Sequence, residues 1–160
     1  MSVLSQIVAN FVKEFYAASD VGPTGHQAYA NLFTQDAVLI MGATQYDGHD
    51  GVLRFRETGW EKVETRKHTV FGVFVRPDTA SSEELMLYGT VDYDFKDGTQ
   101  KEGVEWAGRM QLMKKSNGAY RLKFYQVYIV SMPKVYRHRF SSTNTLYRRN
   151  GEAEPQSSVS

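Results

Sequence analysis

The sequence predicts an α+β domain, with helices gathered near the N-terminus and a long antiparallel sheet following them. Apolar residues up to about Val63 recur mostly at three- and four-residue steps, and from Thr65 onward the period drops to two. Both regimes fit within 160 residues, the size of one ordinary domain. A helix with one apolar stripe and a strand with one apolar side each need a covering layer, so the helices are expected to pack on the sheet.

The first helix is predicted over Ser2 to Ser19, where Val3, Ile7, Val8, Phe11, Val12, Phe15 and Tyr16 keep a helical spacing. Asp20 to Thr24 breaks it, Thr24 is a candidate N-cap, and His26 to Phe33 reads as a short second helix. Ala37 to Met41 is a short strand closed by Gly42. Asp47 and Gly48 turn the chain, Asp50 is a candidate cap, and a third helix runs through Val52, Phe55 and Trp60 to about Val63. Four long strands follow: Thr65 to Arg76, Glu84 to Lys96, Glu102 to Lys115 and Ala119 to Met132. Pro77 to Ser82 is a loop, while Asp97-Gly98 and Asn117-Gly118 are hairpin turn pairs, so the four strands are expected to form an antiparallel meander.

Residues 1–133 therefore read as one domain, and residues 134–160 as a basic extension with five basic residues against two acidic ones, the last ten expected to be disordered. The net charge of +1 gives no reason to expect a nucleic-acid partner. With no cysteine, disulfides, thiolate nucleophiles and cysteine metal sites are excluded, and a reducing, cytoplasmic setting is expected. No apolar run is long enough for a membrane helix, so no membrane partner is expected. His26, His49, His68 and His138 lack metal-ligand spacing, and no glycine-rich phosphate loop or serine-nucleophile elbow is present. Neither a metal nor another cofactor is expected.

Alternation divides the sheet into two faces. Leu85, Leu87, Gly89, Val91, Tyr93 and Phe95 share one side of the second long strand, opposed to Met86, Tyr88, Thr90, Asp92 and Asp94. The third long strand divides into Val104, Trp106, Gly108, Met110 and Leu112 against Glu105, Ala107, Arg109, Gln111 and Met113. One face is apolar and the other mixed. A continuous apolar face has to be covered, by the protein's own helices or by a second subunit.

The element order, together with the segment Gly118 to Tyr128, the entry Phe33 to Val38 and the Tyr46-Asp47-Gly48 turn, resembles the nuclear-transport-factor-2-like superfamily and, within it, the SnoaL-like proteins. The resemblance covers about Ser2 to Pro133. It implies a cone of three N-terminal helices on a curved antiparallel sheet around one pocket for a small apolar or polycyclic molecule. Followed strand by strand, the chain is similar to scytalone dehydratase, and this similarity favours the mixed face as the pocket lining. Thr65 to Gly72 resembles the strand with that family's catalytic histidine, which puts His68 in the role. Asp92 falls where the family has a second histidine, Ala107 and Arg109 where it has a serine and an asparagine, Met41 where it has a substrate-binding tyrosine, and Asp20 near an acidic residue closing its first helix. Most of the dehydratase's own donors are missing, so scytalone is not the expected substrate.

The candidate catalytic residues are thus His68, Asp92 and Arg109. An imidazole gives or takes a proton near neutral pH, although a lone strand histidine also occurs as a structural residue. Asp92 either orients that imidazole, acts as the base, or is a solvated strand-end residue. Arg109 steadies a developing enolate, anchors a carboxylate, or pairs with Glu105 or Asp92. The candidate substrate-binding residues are Tyr16, Asp20, Met41, Trp60, Arg66, Tyr88, Glu105, Tyr125 and Val127; residues such as Trp60, Met41 and Val127 are more often plain core, but in this fold core and pocket wall are the same layer. The expected function is a cofactor-independent cyclase, dehydratase or isomerase, a lyase or isomerase of secondary-metabolite biosynthesis that moves a proton on a polyketide- or terpenoid-like intermediate. The alternative is a non-catalytic small-molecule-binding or scaffold protein of the same fold. A homodimer through the apolar sheet face is expected.

Overall fold

The computed structural model of the protein describes residues 6–79 and 82–129, so the predicted extension 134–160 lies outside the described residues. The chain runs α1 (Gln6–Asp20), a 3-10 turn (Pro23–Gly25), α2 (His26–Ala30), β1 (Phe33–Met41), β2 (Thr44–Asp47), α3 (Gly48–Trp60), β3 (Val63–Thr79), β4 (Ser82–Phe95), β5 (Gln100–Lys114) and β6 (Tyr120–Ile129). The predicted helices and strands all form, within a few residues of their expected ends. Two caps differ. Thr24 sits inside the 3-10 turn, and α3 starts at Gly48 after the cap residue Asp47, with Asp50 inside its first turn, where an acid favours the positive end of the helix dipole.

The sheet has six strands in the order β2-β1-β6-β5-β4-β3. Its long run β3 to β6 is the predicted antiparallel meander, whereas β1 joins β6 in parallel and carries the unpredicted short strand β2 on its free side. Four residues with three polar side chains, Thr44, Gln45 and Asp47, show too little alternation to read as a strand from sequence.

One buried cluster joins Val8, Phe11, Phe15 and Tyr16 of α1 with Leu85, Leu87, Met110, Leu112 and Leu122 of the sheet. Phe15 is its hub, with its ring 5.1 Å from those of Tyr16 and Tyr125 and 5.2 Å from that of Tyr29. Burying an aromatic side chain of this size contributes on the order of 1.5–3 kcal/mol. The protein's own helices therefore cover the apolar sheet face, which corrects the expectation that this face meets a second subunit. Among the described residues no helix is long and apolar enough to cross a membrane.

Candidate functional site

Strand register decides which polar side chains turn inward. Directly opposed residues of an antiparallel pair share a face. His68 lies opposite Val91 and Arg66 opposite Tyr93, whereas Lys67 lies opposite Asp92. His68 and Arg66 therefore join the apolar residues under the helices, and Asp92 faces outward. The mixed face expected to line the pocket is the outer face of the sheet. Asp92 is exposed and accepts a hydrogen bond from the Gly103 backbone N–H at 2.7 Å. Arg109 pairs with Glu84, packs over Phe124 and lies opposite Met86. Glu105 and Tyr88 are exposed on the same side. Contrary to expectation, these four residues lie on the outer face and do not line the cavity.

Inward, the sheet and helices enclose a cavity of about 50 Å³. Of the predicted residues, Met41, Arg66, His68, Tyr125 and Val127 line it. Ser19, Tyr29, Tyr93 and Trp106 line it as well, and sequence reasoning did not assign them to the site. Trp106 belongs to the apolar face by alternation, and its position there is what brings it to the cavity. On its other side His68 borders an open groove of about 400 Å³ between α1 and β3, walled by Val12, Tyr16, Ala17, Asp20 and Val70 among others. Drug-sized ligands need roughly 300–1,000 Å³. A polycyclic molecule thus matches the groove in size and is too large for the inner cavity.

The expected partner of the histidine changes accordingly. Asp20, the last residue of α1, places Oδ1 2.5 Å from His68 Nδ1 and accepts the His68 backbone N–H on Oδ2 at 2.9 Å. Both oxygens of one carboxylate thereby fix one residue. The histidine and aspartate side chains are 13% and 22% exposed, sheltered but reachable. A carboxylate on Nδ1 holds the proton there and leaves the Nε2 lone pair free, the tautomer a general base requires. No group among the described residues bonds Nε2.

Asp20 is held by an unusual helix end. The last carbonyls of a helix lack intrahelical donors and carry the negative end of its dipole. Here Ser19 O accepts from Arg56 Nη1 at 2.7 Å and from Arg66 Nε and Nη2 at 2.9 and 2.6 Å, while Val21 O accepts from Arg56 Nη2 at 2.6 Å. Arg56 is fully buried, its guanidinium 4.6 Å from the Tyr29 ring centroid and 5.3 Å from that of Trp60, and the Arg66 guanidinium lies 4.7 Å from the Trp60 ring centroid. Trp60, predicted to touch substrate, instead supports the two guanidinium groups one layer behind the cavity.

Tyr16 and Tyr125 meet hydroxyl to hydroxyl at 3.1 Å, and the Tyr16 ring lies 5.2 Å from that of His68. One of their two protons joins the pair, leaving the other to donate elsewhere. Burial pushes the phenols of Tyr16 and Tyr125 well up and that of Tyr29 up to about 12. All three are thus neutral donors near pH 7. Because the folded state favours the neutral phenols, the stability they bring is complete below about pH 10 and is lost as pH rises beyond it. Burial lowers Arg56 to about 10, which has the opposite sign: the cost of burying its charge is relieved as pH rises above that value. Three phenols outweigh one guanidinium. In an alkaline titration followed by phenolate absorbance and circular dichroism, these tyrosines are expected to ionise in one step together with loss of the fold; ionisation near pH 10 with the fold intact would contradict their burial.

No family model matches the chain, and no curated protein sequence matches it. Solved structures do match in fold. A protein provisionally designated an aromatic ring hydroxylase, from Novosphingobium aromaticivorans, superposes with a TM-score of 0.69 at 20% identity over 79% of this chain and 88% of its own. Hexachlorocyclohexane dehydrochlorinase LinA-type3 from Novosphingobium barchaimii gives 0.66 at 12% identity, covering 77% of this chain and 84% of its own. Nuclear transport factor 2 from Cryptosporidium parvum gives 0.64 at 17% identity, covering 79% and 94%. Likeness at these identities establishes a shared fold. It transfers no activity, since these neighbours include both an enzyme and a transport factor.

Proposed function

We propose, from the premise that the chain adopts the nuclear-transport-factor-2-like fold, that it is a cofactor-independent lyase or isomerase in which His68 removes a proton from carbon. The observation that carries this reading is the Asp20–His68 pair: a sheltered imidazole, its tautomer set by a carboxylate, with Nε2 unengaged among the described residues, on a residue that lines both a cavity and a groove. In the reaction His68 Nε2 takes the proton next to a carbonyl, and the carbonyl oxygen, becoming an enolate, accepts a hydrogen bond from the Tyr16–Tyr125 pair. Returning the proton at another carbon is isomerisation, and expelling a leaving group is elimination. The size and mainly apolar walls of the groove support the secondary-metabolite substrate expected from the resemblance. The test is solvent exchange: in D₂O the protein should remove the α-proton signal of enolisable cyclic ketones by NMR, and His68→Ala should not. Equal rates for both proteins would reject the reading.

The competing reading, a binding or scaffold protein, is favoured by the small inner cavity. In that case His68→Ala leaves ligand affinity nearly unchanged and no exchange is seen with either protein.

Self-association belongs to the outer sheet face. Phe71, Phe74, Met86 and Tyr88 are 60%, 65%, 43% and 46% exposed there, with Tyr88 ring contacts to both phenylalanines. Contiguous exposed aromatics mark an interface, and a two-fold contact buries the same patch on both copies. A dimer is expected by sedimentation at micromolar concentration, with Phe74→Glu shifting it to monomer. A monomeric parent protein would remove the claim.

A further inference from the structure

The polar wall of the inner cavity is rich in donors and, among the described residues, carries no carboxylate. The nearby Asp20 spends both oxygens on His68. Arg66 lines the cavity, and its described bonds use Nε and Nη2 only, which leaves the two N–H groups of Nη1 without a partner among the described residues. No acidic side chain among the described residues pairs with it. Trp106, 5% exposed and also lining the cavity, has its indole Nε1–H buried with no partner among the described residues. A buried donor left unpaired is costly, and a charged guanidinium nitrogen with two open N–H groups suits an anionic oxygen.

Size limits the occupant further. A water needs roughly 10–15 Å³ of such space, so a cavity of about 50 Å³ holds about four heavy atoms. A carboxylate with one or two carbons has that size.

We infer that the inner cavity is a carboxylate site, with Arg66 and the Trp106 indole N–H as its donors, and that the ligand it takes is a short-chain monocarboxylate or the carboxylate end of a substrate. This deepens the proposed function, on which it rests for its relation to catalysis, by naming the group seated beside His68. Neither residue need take part in proton transfer; both set what binds.

The experiment uses sodium acetate as the probe on the full chain, with sodium chloride as the ionic-strength control and acetamide as the neutral isostere. The protein has two tryptophans, so its indole ¹H–¹⁵N signals are assigned with Trp106→Phe. Acetate should shift the Trp106 signal saturably and leave that of Trp60 in place, and neither acetamide nor chloride should do so. Arg66→Gln, read on the Trp106 indole signal, should weaken acetate at least about ten-fold, and Trp106→Phe, read on the Arg66 Nε–H signal, about three-fold or more. If Arg66→Gln does not fold, the Trp106→Phe titration decides alone. No saturable shift, an equal response to acetamide, or full affinity in the folded variants would overturn the assignment. Binding is read without turnover: failure here leaves the base at His68 standing, and failure of deuterium exchange leaves this site standing.

Discussion

Alanine at His68 is expected to lower kcat/KM for the proton transfer by roughly 10²- to 10⁴-fold, the usual contribution of a positioned general base, equivalent to about 2.7–5.5 kcal/mol of barrier. The fold should survive. The side chain is 13% exposed and its lost partners are one carboxylate and the rings of Tyr16 and Trp106, so the cost in stability is expected to stay near 1–2 kcal/mol by urea unfolding. Asp20→Asn isolates the orienting role. The amide keeps the size of the carboxylate but not its charge, so the imidazole proton is no longer held on Nδ1. The ¹⁵N spectrum of His68 should show the Nδ1–H tautomer dominating the neutral ring in the parent and redistributing toward Nε2–H in the variant, with at least a ten-fold fall in rate. A parent spectrum dominated by Nε2–H would contradict the base as described, because its lone pair would then face Asp20.

Gly89→Ala is expected to cost about 3 kcal/mol or more, large for the addition of one methyl group. A Cβ there would stand 1.9 Å from the Thr69 carbonyl oxygen and 3.1 Å from the Trp106 ring. The first neighbour is backbone, so the strand itself must move, and overpacking that displaces backbone lies at the costly end of its range. Gly89 lies opposite Val70 on β3 and opposite Trp106 on β5. The absent side chain thus lets the strand bearing His68 and the indole of Trp106 approach the same point of β4. Gly59 provides the control. It lies in α3, where a Cβ would meet no other part of the described residues within 4 Å beyond its own helix, so Gly59→Ala should stabilise by roughly 0.5–1 kcal/mol. Chemical denaturation of the two variants should therefore move in opposite directions; a Gly89→Ala midpoint equal to the parent's would show that β3 yields without cost.

Much of this was legible in the residues themselves. The stripe from Val8 to Tyr16 announced α1, and the Asn117-Gly118 and Asp97-Gly98 pairs announced two hairpins. His68, Arg66, Tyr16, Tyr125, Met41 and Val127 were singled out and lie at the cavity or the groove. Asp20 was singled out too, though as a contact for substrate and not for the histidine. A glycine inside a strand pattern is a recognised sign of close backbone approach, so Gly89 was within reach of sequence reasoning. Arg56 was not: a charged residue in α3 reads as solvated until a helix end is seen to supply the carbonyls that receive it.

What the sequence determined by itself is periodicity: which stretches are helix or strand, and that each long strand has one apolar side. These follow from side-chain geometry within a few neighbouring residues. What only the tertiary structure decided is which polar residues share that apolar side. Pairing His68 with Val91 and not with Asp92 is a matter of one residue in register between two strands, and one residue exchanges inside for outside. That register carries His68 and Arg66 to the apolar side beside Trp106, whereas Asp92 and Arg109 lie outward because Val91 and Met110, their neighbours along the strands, are buried.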